Sequence, residues 1–197
     1  MGNATPNGTT IPRGIIDAEI DMITERFENI KKLFGKKHDL EPYQTITGTI
    51  DTLKQTGTGD NPGSGIIYTL HAINFPFDRV ETEEKFAVWK QEFSLCRINK
   101  SKNWETAKTG TVCMYVGSSE DISTRLKQHL FTHNPTTYAM HLETWLPKDV
   151  TIRIDLWNFG DLLDEFKDKE ERADYVQCIE DVLWNHLRPL FGRQGRK

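Results

Sequence analysis

The chain has 197 residues, a hydrophobic share of 37% and a formal net charge of −4, proportions that fit one globular domain with an elaboration. No run of about eighteen apolar residues occurs and the N-terminus lacks a signal-peptide pattern, so the sequence predicts a soluble, cytoplasmic protein with no membrane partner. The net acidity does not favour a nucleic-acid partner. The basic residues are clustered, however, and they could form either a phosphate-backbone groove or an ordinary solvated surface.

The sequence of the first 64 residues predicts a helix between two irregular segments. Residues 1–14 are rich in Gly, Asn, Thr and Pro and are predicted to be disordered. Apolar residues then recur at alternating spacings of four and three until Gly35, which predicts an amphipathic helix over residues 15–34. This helix could pair with a second copy in a homodimer or pack on its own domain. The rest of residues 15–64 is predicted to be a linker with a short helix near Ile50 to Gln55.

Three strands are predicted in the remainder of the chain. The first runs from Gly65 to Ile73, and the second is a short apolar run that ends at Tyr115. The third, from Val150 to Trp157, alternates apolar and polar residues, as a strand with one buried face does.

Three helices are predicted beside these strands. One follows an acidic turn at Glu81 and is marked by Phe86, Trp89, Phe93 and Cys96, with a loop from Asn99 to Gly110 behind it. A second follows a turn at Gly117 and a cap at Ser118 or Ser119, and runs to Phe131 with Ile122, Leu126 and Leu130 on its apolar row. The third spans Lys169 to Leu187 and ends before Pro189. The order of elements predicts an α+β domain, a small sheet covered by helices.

Two features of these helices predict chemistry. Arg125 and His129 are one turn apart, so a cation and a proton-transfer group extend from the same edge of a helix. Glu180 falls on the apolar face of the last helix with Val176, Leu183 and Leu187. A carboxylate on such a face costs several kcal/mol unless a metal or a cation balances it. A partly exposed glutamate, or a structural pair with Arg125, is the alternative.

These residues together resemble the GIY-YIG nuclease superfamily. The resemblance covers about Gly65 to Phe191. Ile67 and Tyr68 are similar to the first half of the family motif. The second half is carried by Tyr115-Val116-Gly117, which is followed by Arg125, His129, Glu180 and Pro189. The spacings from Tyr115 to Arg125 and from Glu180 to Pro189 match the family pattern.

The resemblance implies a three-stranded antiparallel sheet flanked by helices, in a domain over residues 65–197 with an insertion at 75–111. It also implies a site that hydrolyses phosphodiesters with one divalent ion, Mg²⁺ or Mn²⁺. Tyr68 would accept a proton from the attacking water or position it, and Tyr115 would help to hold water and phosphate. Arg125 would stabilise the transition state, Glu180 would bind the metal, and His129 would assist proton transfer.

The chemistry of phosphodiester hydrolysis agrees with these roles. The reaction needs a positive charge for the phosphate, a proton acceptor and help for the departing oxygen. A guanidinium donates two hydrogen bonds to phosphate, and one carboxylate suits Mg²⁺, which keeps several waters.

The chain departs from the family pattern in three places. The leading motif reads Gly-Ile-Ile-Tyr, so either Gly65 is displaced by one position or Ile66 occupies its place. Tyr68 and Tyr115 are 47 residues apart, which requires the insertion. Gly192 stands where the family often has an asparagine, and Asn185 or Gln194 could replace that amide.

The sequence therefore predicts a metal-dependent endonuclease, acting on double-stranded DNA, of restriction or phage-defence type. The alternative is a non-catalytic nucleic-acid-binding or assembly module on a degenerate GIY-YIG scaffold. Residues predicted to contact the DNA backbone are Lys100, Lys102, Lys108, Arg188 and Arg193.

Overall fold

A computed structural model of the chain describes residues 13–34, 41–57, 65–131, 134–164, 166 and 168–195. The described residues fall into two compact units that divide between residues 39 and 40. The prediction of a disordered N-terminus lies outside the described residues except at residues 13 and 14, which are helical.

The described part of the first unit is one helix, α1 (Arg13–Phe34). The predicted amphipathic helix is therefore confirmed, and it begins two residues earlier than expected. Three of its isoleucines, Ile15, Ile16 and Ile20, are 55%, 46% and 54% exposed. The homodimer through this helix stays a prediction.

The second unit contains a four-stranded antiparallel sheet in the order β1-β4-β2-β3. The strands are β1 (Gln44–Gly48), β2 (Ile66–Ile73), β3 (Thr111–Ser119) and β4 (Thr151–Asn158). The α+β class is confirmed, but the predicted count of three strands is wrong. The additional strand, β1, lies in the segment predicted as a linker. It is a short edge strand whose residues alternate between partly buried and exposed, and Ile46 is its one large apolar side chain, so its sequence carries little strand signal.

Helices flank the sheet, and three of them follow the predicted boundaries closely. These are α2 (Ile50–Thr56), α4 (Ile122–Leu130) and α7 (Lys169–Leu187), while α3 (Arg79–Trp89), α5 (Leu142–Trp145) and α6 (Gly160–Leu163) complete the set. The helix that follows β2 is shorter than the sequence predicts. It ends at Trp89, so Phe93 and Cys96 lie beyond it. The loop behind it contains a single 3₁₀ turn, Lys102–Glu105.

The junction between β3 and α4 also differs from the prediction. β3 does not turn at Gly117 but stays paired with β2 as far as Ser119. The cap of α4 is Asp121, whose carboxylate accepts a hydrogen bond from the Thr124 backbone N–H over 3.0 Å. Ser118 and Ser119 are thus strand residues, which frees their side chains for other contacts.

The buried face of α4 is the predicted one, but that of α7 is not. Ile122, Leu126 and Leu130 are fully buried. In α7 the buried residues are Tyr175 and Ile179, whereas the predicted stripe of Val176, Leu183 and Leu187 is only partly buried. The Tyr175 ring packs against Phe159 and Phe166, at centroid distances of 6.3 and 5.4 Å, and this contact turns the helix away from the expected orientation.

A buried histidine of β2 predicts acid sensitivity. His71 Nε2 lies 2.8 Å from Thr69 Oγ1 and 3.4 Å from Asp155 Oδ2. Burial, followed by the charge of Arg153, lowers the pKa of His71 to about 4 against the opposite effect of Asp155. The unfolded chain, with a histidine pKa of about 6.5, binds more protons between these values. The free energy of unfolding should therefore fall as the pH is lowered from about 6.5 to about 4.

Urea denaturation at several pH values measures this effect. His71→Gln keeps a hydrogen-bonding side chain without a titrating group, so it should flatten the dependence by up to about 3 kcal/mol over that range. An equal slope in the wild type and the variant would contradict the assignment.

Candidate active site

Tyr68, on the central strand β2, has its hydroxyl oxygen held by two side chains of α4. Arg125 Nε donates to it over 3.2 Å, and His129 Nε2 lies 3.1 Å away. The other ring nitrogen of His129, Nδ1, accepts the backbone N–H of Met140 over 3.3 Å. A neutral His129 therefore carries its proton on Nε2 and donates it to Tyr68.

Arg125 connects Tyr68 to the second tyrosine. Its Nη2 donates to the Tyr115 hydroxyl over 3.2 Å, and its Nη1 donates to Gln128 Oε1 over 3.0 Å. The rings of Tyr68 and Tyr115 are stacked at 6.0 Å, and the Tyr115 and His129 rings are 4.2 Å apart. Hydrogen bonds and ring contacts thus join four residues into one group, which we call the tyrosine–arginine cluster: Tyr68, Tyr115, Arg125 and His129.

Gly117 makes room for this cluster. A Cβ atom at that position would lie 2.7 Å from Tyr115 Cε1 and 2.8 Å from the Tyr68 hydroxyl. Gly117 is the residue of β3 opposite Tyr68, so any side chain there would push the tyrosines apart. The glycine of the motif is required by close packing in an extended strand and not by a turn.

The cluster is largely buried, and this determines its protonation. Burial raises the pKa of Tyr68 well above its usual value, although Arg125 opposes the effect. Burial likewise raises the pKa of Tyr115. Burial and then the charge of Arg125 lower the pKa of His129 well below its usual value. At neutral pH both phenols and the imidazole are neutral, and Arg125 carries the charge of the cluster.

Glu180 reaches the same region from α7. Its Oε2 accepts a hydrogen bond from Ser118 Oγ over 2.8 Å, and its side chain is partly buried. Its negative charge is one of the causes that raise the pKa of both Tyr68 and Tyr115. The five residues predicted as catalytic come from four elements. Four of them form the tyrosine–arginine cluster, and Glu180, from α7, contacts the other face of β3 through Ser118.

Ser118 is a site residue that the sequence pattern did not identify. It was expected to cap a helix, but in β3 its hydroxyl points to Glu180. Side chains alternate along a strand, so Ser118 faces away from the side that carries Gly117. One sequence signal could have identified it. Ser118 directly follows Tyr115-Val116-Gly117, and if that motif is interpreted as part of a strand instead of a turn, Ser118 becomes the next strand residue.

The oxygen atoms at Glu180 suit a hard cation. A carboxylate with a hydroxyl beside it offers the kind of ligand that Mg²⁺ prefers, and Mg²⁺ usually keeps several waters and needs few protein ligands. Among the described residues, no three His, Cys, Asp or Glu side chains come together as a metal-binding group. A magnesium ion here would be held by Glu180, with Ser118 orienting the carboxylate.

The structure leaves no room for an asparagine side chain at Gly192. Its backbone φ is +102°, and a Cβ atom there would lie 2.8 Å from Tyr115 Cε2 and 3.3 Å from Trp184. The chain after α7 thus passes directly over the Tyr115 ring. The two suggested substitutes, Asn185 and Gln194, are exposed, and Gln194 Nε2 donates to Asn185 Oδ1 over 3.3 Å. This amide pair lies on the surface.

Introducing an asparagine at this position should therefore destabilise the protein. Gly192→Asn combines an unfavourable backbone conformation with a steric clash against Tyr115, so we expect a loss of about 2 kcal/mol in the free energy of unfolding. Urea denaturation measures it, with Gly195→Asn as the control, because Gly195 also has a positive φ of +79° but has open space at its Cβ. Equal stabilities of the two variants would contradict the packing assigned to Gly192.

The predicted DNA-contacting residues do not form one continuous group. Ser101 Oγ and Asn103 Nδ2 donate to the Arg188 carbonyl oxygen over 2.6 and 3.0 Å, so the exposed Lys100 and Lys102 are attached beside the end of α7. Lys108 instead forms ion pairs, with Glu81 at 2.8 Å and with Asp78 at 3.7 Å. Arg193 lies 5.0 Å from the centre of the Tyr138 ring.

A scan against protein-family models, a search of curated proteins and a search of solved structures found no match to this chain. In the described part of the chain, every helix is too short or too polar to cross a membrane.

Proposed function

We propose that this protein is a metal-dependent endonuclease that hydrolyses phosphodiester bonds in double-stranded DNA, with a GIY-YIG-like fold and site. The observation that carries the proposal is the position of Arg125 between two tyrosine hydroxyls, with the carboxylate of Glu180 in the same region. A fixed cation for the phosphate and a hard anion for a metal are the two charges that such a reaction requires.

Arg125 is the proposed phosphate-binding residue. In the contacts between described residues, three of its five N–H groups donate to Tyr68, Gln128 and Tyr115. The other two can donate to phosphate oxygens, and the three bonds already made hold the guanidinium in one orientation. Such preorganised donors stabilise the charge of a transition state without reorganising during the reaction.

Tyr68 is the proposed positioning group for Arg125. It is fully buried, and its oxygen accepts hydrogen bonds from Arg125 and His129, so it holds the guanidinium in place rather than contacting the attacking water. Its raised pKa favours this role over that of a proton acceptor. A Mg²⁺ or Mn²⁺ ion bound at Glu180 would supply Lewis-acid activation of water and phosphate.

Conversion of supercoiled plasmid to nicked or linear DNA tests the proposal. We expect conversion with Mg²⁺ or Mn²⁺ and none with EDTA. A wild-type protein that binds DNA but leaves the plasmid intact with either ion would contradict it and would favour the non-catalytic module. A cytoplasmic location, a restriction or phage-defence role and a homodimer through α1 belong to the same proposal.

The basic residues beside α7 should supply salt-dependent DNA affinity. Replacing Lys100 and Lys102 with alanine should weaken binding to most sequences alike and reduce the log–log salt slope by up to about one unit per lost phosphate contact. Lys108→Ala is the matched control, because Lys108 is already paired with Glu81 and Asp78. Fluorescence anisotropy over a series of salt concentrations measures both. An unchanged slope in the double variant would show that Lys100 and Lys102 face away from DNA.

A further inference from the structure

A cavity of about 600 Å³ is lined in part by Ser118, the hydrogen-bond partner of Glu180, and is not used by the mechanism above. It is bounded by the start of β2, the end of β3 and the first half of α7. Its apolar walls are Ile66, Leu163, Ala173 and Val176, and its polar lining includes Gln177 and Arg172. We call it the Ser118 cavity, because Ser118 also lines it.

The size and lining of the Ser118 cavity suit part of a nucleotide. Small-molecule pockets occupy about 300–1,000 Å³ and combine apolar walls with a few fixed polar groups. Apolar side chains can pack against the faces of a base. Arg172 and Lys169 outnumber Glu120 among the charged lining residues, so the lining offers net positive charge to the phosphates that follow.

The polar groups of the cavity are oriented by contacts outside it. Gln177 Nε2 donates to Asp181 Oδ1 over 3.2 Å, which presents Gln177 Oε1 as an acceptor for a base amino group. Arg172 Nε donates to the Phe166 carbonyl oxygen over 2.9 Å, which fixes the guanidinium while its terminal nitrogens can reach a phosphate.

One side chain joins the Ser118 cavity to the proposed active site. Ser118 lines the cavity, and its hydroxyl donates to Glu180 Oε2 over 2.8 Å. A group bound in the cavity would therefore be separated from the proposed metal ligand by a single side chain, that of Ser118. If the scissile phosphate lies between Arg125 and Glu180, the next nucleotide along the strand is the part of the substrate closest to the cavity.

We propose that the Ser118 cavity takes the base of an unstacked nucleotide adjoining the scissile phosphate. The inference rests on the proposed function and adds that the enzyme reads one base outside the duplex. Extruding a base costs stacking energy, and enzymes recover that energy in a pocket with apolar walls and hydrogen-bonding groups.

The test combines a cavity-filling variant with removal of single bases. Ala173→Phe fills the cavity two helical turns from Glu180, so it leaves the carboxylate untouched. Val182→Phe is the control on the same helix, because Val182 is 51% exposed. After the cut position has been mapped on plasmid, kcat/KM is measured for oligonucleotide duplexes that are intact or abasic at either nucleotide adjoining the cut.

For the wild type and for Val182→Phe, removal of the base at one of these positions should lower kcat/KM by about tenfold or more, as when a base loses its stacking partner. Ala173→Phe should cleave the intact duplex with about the same low kcat/KM that the wild type has on the abasic duplex. Removal of the base should not lower the kcat/KM of this variant further. Gln177→Leu removes the acceptor and hardly changes the side-chain volume. Its kcat/KM on the intact duplex should fall less than that of Ala173→Phe, and base removal should again have no further effect. This variant replaces Ala173→Phe if the latter does not fold.

Two results overturn the inference in distinguishable ways. If the wild type cleaves DNA but base removal and the cavity variants act independently, the cavity does not hold a base and the endonuclease proposal stands. If the wild type cleaves no DNA, the proposed function fails and this inference fails with it.

Discussion

Replacing Glu180 with glutamine should abolish Mg²⁺-dependent cleavage and leave the fold intact. The amide keeps the size of the side chain and can still accept the hydrogen bond from Ser118. It loses the negative charge that a hard cation requires. Because the metal would supply several kcal/mol of transition-state stabilisation, the single-turnover rate should fall by at least about 10³-fold.

Glu170→Gln is the matched control for this experiment, because Glu170 is exposed in the first turn of the same helix. The control should cleave at the wild-type rate, and all three proteins should have the same thermal midpoint and bind DNA equally. Cleavage by Glu180→Gln at the wild-type rate would end the assignment of Glu180 as the metal ligand.

Replacing Arg125 with lysine should cost both activity and stability. A lysine keeps the charge but has no planar fork, so it cannot donate to Tyr68, Tyr115 and Gln128 at once. Loss of a preorganised donor to a developing charge typically lowers the rate about 10²–10³-fold. Buried hydroxyls left without a donor should lower the free energy of unfolding by about 1–3 kcal/mol.

Single-turnover cleavage and urea denaturation measure the two effects separately. Lys127→Arg, the reverse exchange on the exposed side of α4, should change neither. If Arg125→Lys cleaves as fast as the wild type, a positive charge alone is sufficient and the bonded geometry of the tyrosine–arginine cluster has no catalytic role.

Much of the second unit could be predicted from local patterns. The apolar row of α4 predicted its buried face because its residues repeat every four positions and all contact one core. α7 shows the limit of this reasoning. Several apolar residues lie around it, and tertiary contacts of Tyr175 with Phe159 and Phe166 select the buried side. The pattern alone could not rank these faces.

In the candidate site, too, some residues could be predicted from the sequence and others depend on tertiary contacts. A motif could identify the four residues of the tyrosine–arginine cluster. Tyr68 and Tyr115 lie in two paired strands, and Arg125 and His129 are one turn apart in a single helix. The contact of Ser118 with Glu180 joins residues 62 positions apart, and the direction of the Ser118 side chain depends on β3 continuing past Gly117. The ion pairs of Lys108 depend on the fold of the insertion, so no sequence pattern separated it from Lys100 and Lys102.

Isotope labelling of the new DNA ends tests the central claim most directly, namely that this site hydrolyses phosphodiesters with water. Plasmid is cleaved with Mg²⁺ in water enriched in ¹⁸O, and the terminal phosphates are analysed by mass spectrometry. We expect one ¹⁸O atom in each terminal phosphate, and no new ends with Glu180→Gln or with EDTA. New ends without ¹⁸O, or labelled ends produced equally by Glu180→Gln, would contradict the assignment of hydrolysis to this site.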